Sequence, residues 1–204
     1  ETPDGLKGLV TLPPCGAVTL LPGRSNVLGQ ASVTSCSDGF LLRNRHIQAL
    51  VNFRGEVISF VLLESGREFA ASPLNHFLMY KDVPRLFDAW DIDSNYIEQE
   101  IDALSDVEVQ PYSSGIEAAV RVTGMLGHSP FSQIIRLAED ARRIEFETEI
   151  DWQELHRLLK ASFPVTVYAE EGINEIQFGY VRRPTHRSTQ SAKDRFEVCN
   201  HRYS

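Results

Sequence analysis

The stretch Arg143-Ile-Glu-Phe-Glu-Thr-Glu-Ile-Asp-Trp152 decides the fold of this chain, because apolar and acidic residues alternate along it without a slip. A period of two residues is the period with which side chains alternate across a β-strand. One face of the predicted strand, which we expect to lie against a core, carries Ile144, Phe146, Thr148, Ile150 and Trp152. The opposite face carries Glu145, Glu147, Glu149 and Asp151, and it suits either contact with solvent or the wall of a polar cleft.

Shorter strand-like runs, separated by turn residues, extend this pattern in both directions along the chain. Strands are predicted at 31–35, 40–44, 47–53, 57–63 and 163–168, with a hairpin of 116–123 and 131–137 across Gly127-His-Ser-Pro. Two further runs, 9–14 and 16–23, precede a linker at 24–30, and only Gln153–Lys160 is predicted to form a short helical turn. Strands at this regular spacing predict an all-β fold, an antiparallel β-sandwich or barrel.

Composition and charge limit the classes of function. The 204 residues are enough for one sizeable core, and the formal net charge of −8 argues against nucleic acid or an anionic membrane as a partner. No apolar run reaches the roughly 18 residues that a membrane helix needs. The start, Glu1-Thr-Pro-Asp, lacks an initiator Met and a basic leader, so we expect this chain to be part of a longer protein.

The cysteines and histidines form no recognisable catalytic or metal-binding motif. Cys15, Cys36 and Cys199 are scattered, without a Cys-x-x-Cys pair, which favours reduced thiols and a cytoplasmic location. The sequence contains no His-x-Asp, His-Glu-x-x-His or Gly-x-Ser-x-Gly motif and no phosphate loop. We therefore assign no catalytic residue, no metal ligand and no cofactor to this chain.

A cluster of acids around one tryptophan is the strongest candidate for a binding site. An apolar run that begins at Phe77 is broken by Pro84, and Asp88, Trp90 and Asp91 follow. An indole ring can stack on the apolar face of a sugar while carboxylates accept hydrogen bonds from its hydroxyls. The same residue types also occur in tight turns, so the pattern alone leaves both interpretations open.

Four motifs in the same order resemble the α-mannosidases of glycoside hydrolase family 38, in the cytosolic, vacuolar and bacterial branch. The first is Asp82-Val-Pro followed by Asp88-Ala-Trp-Asp. The others are the stretch 144–154 with His156, the stretch 175–179 with Arg183-Pro-Thr-His186, and Arg195-Phe-Glu-Val-Cys with His201-Arg202. The similarity covers nearly the whole chain, which makes the ordered set far more specific than any one motif.

The resemblance implies a fold and a domain organisation. It assigns the chain to the C-terminal β region of these enzymes, a large antiparallel β-sandwich related to galactose mutarotase. Residues 1–30 would be the end of a preceding small β domain and its linker, and residues 31–204 the N-terminal part of the supersandwich. A sandwich that is incomplete at its C-terminus would have unpaired strand edges, which favour a homo-oligomer.

The resemblance also implies a function for the parent enzyme and a supporting role for this chain. Family 38 enzymes are retaining exo-mannosidases that act on α-mannoside oligosaccharides, and their zinc or other divalent metal lies in a barrel domain. The partners implied are that barrel, a helical domain and the mannoside. The fragment would be inactive alone and would serve as scaffold and as a wall of the sugar pocket.

Five residues can be carried over as substrate-binding candidates. Trp90 resembles an aromatic at the rim of the mannose pocket, with Asp88 and Asp91 beside it, although packing at the interface between domains would suit Trp90 equally well. Arg183 and His186 form a second set, for which a structural proline turn is the alternative. The loop after them departs from the family, because Ser188–Asp194 lacks the two tryptophans usual there.

Two other classes of function stay open from the residues alone. A free-standing carbohydrate-binding module would use Trp90 and the acidic strand face. A mutarotase-like sugar epimerase would need a histidine such as His156, His186 or His201 to converge with Glu175, and their spacing does not favour this.

Overall fold

The computed structural model describes residues 14–17, 19, 31–88, 90–113 and 116–201. Its strands are β1 (Ser32–Cys36), β2 (Gly39–Arg43), β3 (Ile47–Asn52), β4 (Val57–Leu62), β5 (Arg67–Glu68), β6 (His76–Lys81), β7 (Glu100–Ile101), β8 (Leu104–Ser113), β9 (Glu117–Leu126), β10 (Ser129–Ala138), β11 (Glu145–Ile150), β12 (Arg157–Ser162), β13 (Glu171–Ile176) and β14 (Gly179–Pro184). A 3₁₀ helix at Ser94–Glu98 and a short helix α1 (Gln190–Asp194) complete the list. The all-β prediction is confirmed.

The strands form antiparallel sheets in which chain neighbours mostly pair. The first sheet has the order β1-β2-β3-β4-β5, and the second has the order β11-β10-β9-β8. The predicted strands at 31–35, 40–44, 47–53 and 57–63 coincide with β1 to β4. The predicted hairpin is β9 and β10, whose connection begins at Gly127 with a φ of 65°. Because that φ lies in the left-handed region, glycine relieves the strain there.

The core lies between the inner faces of the first and second sheets. Strand β3 alternates between buried and half-buried residues, so that Ile47, Ala49 and Val51 point inward. They belong to the same apolar cluster as Ile135 and Leu137 of β10, which are also completely buried. The alternating strands therefore pack as a two-layer β-sandwich, one of the two architectures predicted from the regular spacing of strands and turns.

Strand β11 confirms most of the predicted face and corrects one end of it. Ile144, Phe146 and Ile150 are half-buried and pack against the core cluster, while the acidic residues of the other face are exposed to solvent. Thr148 is exposed as a residue, yet its Oγ1 accepts a hydrogen bond of 2.8 Å from the buried Gln133. The prediction that Trp152 faces the core is wrong. It lies beyond the last paired residue, Ile150, and is 39% exposed.

The prediction of a helical turn at Gln153–Lys160 is also wrong. Residues 157–162 form β12, which pairs antiparallel with β6 in a third sheet of order β12-β6-β7. Leu159 packs against the core from this strand. Pairing with a strand about 80 residues earlier supplies hydrogen bonds that a short helical turn would not, and tertiary context overrides local propensity.

The strand predicted at 163–168 is reduced to one isolated bridge between Val165 and Ala70. Pro164 has no N–H to donate to a ladder, and its carbonyl instead accepts the hydrogen bond of Ala71 N at 3.0 Å. Strands β13 and β14 form a separate two-stranded sheet. The predicted strands and domain of residues 1–30 lie outside the described residues, apart from 14–17 and 19. In the described part of the chain, no helix combines the length and apolar character required to cross a membrane.

Candidate functional site

The Trp90 loop, residues 82–93, is held at both of its ends by backbone hydrogen bonds. It leaves β6 after Lys81, whose N–H donates to Gln99 O at 2.9 Å. Asp82 N donates to His156 O, also at 2.9 Å. At the other end the 3₁₀ helix begins directly after Asp93, whose carbonyl accepts a hydrogen bond from Tyr96 N at 3.0 Å. The end of β6, the central strand of the third sheet, therefore fixes where the loop starts, and the 3₁₀ helix fixes where it ends.

A tight turn at the tip of the loop turns Trp90 outward. The carbonyl of Phe87 accepts hydrogen bonds from Trp90 N at 2.7 Å and from Asp91 N at 3.0 Å. Phe87 itself has a φ of 56°, a left-handed conformation that costs energy for an aromatic residue. The indole is 91% exposed and borders an open depression of about 640 Å³ with Phe87, Asp88 and Asp91. Trp90 therefore contributes nothing to the core of this chain.

The side chain of Asp88 contacts His156, a pairing that the sequence motifs did not predict. His156 Nδ1 lies 3.3 Å from Asp88 Oδ1. The pairing of Lys81 with Arg157 brings the two segments together, since His156 directly precedes Arg157 and the loop that carries Asp88 leaves β6 directly after Lys81. His156 also has a left-handed φ of 53°. Strained residues on both sides of one side-chain contact are typical of functional loops.

The arrangement suits recognition of a polyhydroxylated ligand. Arg85 Nε lies 3.3 Å from Asp93 Oδ2, so Asp93 is already paired. Asp91 accepts only the hydrogen bond of Ile92 N, at 3.0 Å through Oδ1, among the described contacts. Its second oxygen therefore has capacity for a hydroxyl donor beside the face of Trp90. The sequence-predicted trio of Trp90, Asp88 and Asp91 thus does lie together.

Arg183 lines a second region, which we call the hairpin pocket, and His186 lies outside its lining. The pocket is a cavity of about 340 Å³ between the β13–β14 hairpin and the segment from α1 to Val198, with Asn174, Arg183 and Arg195 in its lining. His186 stands on the exposed loop after β14, and its Nδ1 is 2.7 Å from Ser188 Oγ. No described contact joins Arg183 or His186 to the Trp90 loop, so the two predicted sets are separate.

A polar cluster that sequence reasoning missed connects the neighbourhoods of these two regions. Lys160 Nζ donates to Tyr96 Oη at 2.8 Å, and both groups donate to the carboxylate of Glu197. The Tyr96 ring, just after the Trp90 loop, also lies against Phe196, with a centroid distance of 6.3 Å. The residues come from segments about 40 to 100 positions apart, so no local signal in the sequence could have found them.

The electrostatics of this cluster favour the ion pair. Burial opposes both charges, but hydrogen bonds to Glu197 and Tyr96 outweigh it and raise the pKa of Lys160. Burial would likewise raise the pKa of Glu197, yet hydrogen bonds from Lys160 and Tyr96 hold it below its ordinary value. Desolvation and the neighbouring Glu197 raise the pKa of Tyr96. At neutral pH the cluster is a charged pair with a neutral phenol.

The histidines named for the epimerase alternative do not bring their side chains to that of Glu175 among the described contacts. His156 faces Asp88, His186 faces Ser188, and His201 meets Glu175 only through its backbone N–H. The histidine–glutamate convergence of an epimerase is therefore not formed by these residues. Within the described part of the chain, His, Cys, Asp and Glu side chains do not gather in groups of three that could hold a metal.

Comparison with known proteins identifies the family. Residues 42–204 match the family model described as the glycosyl hydrolases family 38 C-terminal domain. The chain belongs to this family. The resemblance stated from the four ordered motifs is thereby confirmed.

The relatives of this family 38 C-terminal domain are much longer proteins. It is 34% identical over 207 residues to alpha-mannosidase 2C1 of Homo sapiens, covering 96% of this chain and 20% of the relative. It is 27% identical over 216 residues to alpha-mannosidase G of Dictyostelium discoideum, covering 97% of this chain and 20% of that relative. The domain therefore spans only a fifth of the length of these curated relatives.

A solved structure supports the fold of the family 38 C-terminal domain. The crystal structure of an alpha-mannosidase from Enterococcus faecalis V583 superposes with a TM-score of 0.56 at 15% identity, covering 72% of this chain and 20% of that one. At this identity the similarity establishes the fold alone.

Proposed function

We propose that this chain is the non-catalytic β-domain of a retaining α-mannosidase that hydrolyses terminal α-mannosides of oligosaccharides. The observation that carries the proposal is the family match over residues 42–204, together with relatives that are named α-mannosidases along almost the whole chain. The zinc or other divalent metal of the reaction belongs in this proposal to a barrel domain elsewhere in the protein. That barrel, a helical domain and the mannoside are the proposed partners.

Within that enzyme, the Trp90 loop forms part of the wall of the sugar pocket. The outward ring offers a stacking surface for the apolar face of a mannose, and Asp88 and Asp91 offer acceptors for its hydroxyls. Support comes from the 91% exposure of the ring and from the strained turn that presents it. Arg183 and His186 serve as a second, separate contact region.

We also propose a cytoplasmic location for the enzyme. Cys15, Cys36 and Cys199 are all free thiols, and the scattered cysteines suit a reducing compartment.

The test is to compare the protein containing this domain together with its preceding region against the 204-residue chain alone. We expect the longer protein to hydrolyse an aryl α-mannoside and the chain alone to show no turnover and no stoichiometric zinc. Failure of the longer protein to cleave α-mannosides of any linkage would overturn the proposal. Turnover by the chain alone would overturn its non-catalytic role.

A second candidate is a carbohydrate-binding module, which the open depression around Trp90 favours. Titration of α-mannobiose into the chain alone separates the two functions. Saturable binding that is lost in Trp90→Ala would support a module, whereas a pocket wall binds measurably only when the rest of the enzyme is present.

A further inference from the structure

We propose that the hairpin pocket binds a small oxyanion, a phosphate or a carboxylate group, through Arg183 and Arg195. This gives the proposed contact residue Arg183 a charged ligand instead of a neutral hydroxyl. It does not depend on the Trp90 loop. Since the ligand is recognised by charge, its binding can be measured without any mannoside.

The guanidinium of Arg183 carries a buried donor that lacks an acceptor among the described residues. Its Nη1 atom is buried and has no hydrogen-bond partner, and its guanidinium makes no ion pair with any described residue. A buried donor on a permanent cation is costly to leave unpaired, and native structures rarely do so. The cavity into which β14 places this residue is therefore the place to expect an acceptor.

Arg195 and Asn174 provide the further donors that an oxyanion requires. Arg195 lines the same cavity, and among the described contacts only its Nη1 is engaged, donating to Ser191 Oγ at 3.1 Å. Asn174 is buried on β13, on the strand face that also carries Arg183, because Gly172 pairs with Arg183 in the register. Its side chain makes no hydrogen bond within the described part of the chain. Two guanidinium forks and an amide match the several acceptor oxygens of a phosphate or carboxylate.

The carboxylates of Glu171, Asp194 and Glu197 near the pocket are already occupied by other partners. Glu175 has an Oε2 that is unpaired among the described contacts, but the residue lies on the opposite face of the hairpin from Arg183, in register with Tyr180. Glu171 lies 3.3 Å from Arg182, on the opposite face of the hairpin. Glu197 is held by Lys160 and Tyr96, and Asp194 accepts from Gln190 at 2.7 Å. The described lining contains no acidic residue at all. In a chain of net charge −8, a cavity with two arginines and no acid is selective for an anion.

The experiment is a calorimetric titration of inorganic phosphate, and separately of acetate, into the full 204-residue chain at constant ionic strength. We expect saturable one-to-one binding of at least one of the two, and the tighter one identifies which oxyanion the pocket takes. Absence of saturable binding by both anions would overturn the proposal. The outcome is independent of mannosidase activity, so failure here leaves the proposed function standing, and the reverse also holds.

Variants locate the site. Arg183→Gln should weaken binding at least about tenfold, whereas Arg183→Lys, which keeps the charge and loses the fork, should weaken it less. The matched control is Arg182→Gln on the same strand, which removes the same charge from the opposite, exposed face and should change binding by less than about twofold. If Arg183→Gln does not fold, Arg195→Gln takes its place with the same expectation. Equal binding by the pocket variant and Arg182→Gln would overturn the assignment.

Discussion

Replacement of Trp90 by alanine separates a recognition role from a structural one. Because the ring is 91% exposed, its removal takes almost no packing from this chain, and the free energy of unfolding should change by less than about 0.5 kcal/mol. In the complete enzyme the ring would gain about 0.5–1.5 kcal/mol from stacking on the sugar, in addition to its newly buried area. Together these terms predict a kcat/KM for α-mannosides that is lower by about tenfold, or about 1.4 kcal/mol.

The assay combines steady-state kinetics of the complete enzyme on an aryl α-mannoside and an oligosaccharide with thermal unfolding of both the complete enzyme and the 204-residue chain. Phe178→Ala is the control, because Phe178 is another fully exposed aromatic, at the turn between β13 and β14. It should leave both measurements unchanged. A Trp90→Ala enzyme that loses stability but keeps full activity in its folded fraction would refute the stacking argument and favour a purely interdomain contact. Asp88 and Asp91 would then lose their proposed role as well.

Three further substitutions test the packing and the electrostatics. Ile135→Ala removes a completely buried side chain and should cost about 2–5 kcal/mol, measured by urea unfolding. Phe146→Ala, at a half-buried position, should cost less, about 1–2 kcal/mol; equal losses would contradict the observed burial. Glu197→Gln should cost about 1 kcal/mol at neutral pH, a value reduced for partial exposure. The pKa of Glu197 is lower in the folded state than in the unfolded state. Its contribution to the free energy of unfolding is therefore present above the unfolded pKa and disappears as the pH falls through the folded pKa. The stabilities of wild type and variant should accordingly become equal in acid. A stability difference that persists in strong acid would contradict this linkage.

The parts of the fold that sequence reasoning predicted are those encoded locally. Strands β1 to β4 and the β9–β10 hairpin combine alternating residues with turn residues such as Gly127, and both signals lie within a few positions of the elements they specify. Strand β12 has no such pattern, because Leu158-Leu-Lys-Ala carries apolar residues side by side and becomes a strand only through pairing with β6. At Trp152 the alternation of the sequence continues two residues beyond Ile150, the last residue of β11 that pairs with β10, so the pattern there does not correspond to a strand.

The candidate site likewise consists of residues that lie close in the sequence and residues that only the fold brings together. The Trp90 motif is contiguous, and both its residues and their clustering could be predicted. The partner of Asp88, His156, becomes a neighbour only when β6 pairs with β12. The hairpin pocket depends on a register in which Arg183 faces Gly172 and on a C-terminal segment held by Lys160 and Tyr96. Such contacts follow from the fold and not from spacing.

The distribution of apolar surface favours a Trp90 loop that is completed by another domain. Val83, Leu86, Phe87 and Trp90 are all more than half exposed, although the loop is anchored firmly at both ends. A single exposed apolar side chain needs no explanation, but four within eight positions, with Phe87 and Trp90 bordering the same depression, are a concentration of apolar surface of the kind that marks an interaction site. A strained turn at Phe87 would be hard to maintain for solvent contact alone, since relaxing it would cost this chain no buried area. The exposed ring and the strain that presents it are both accounted for if the loop meets the mannoside and the adjoining barrel in the complete enzyme.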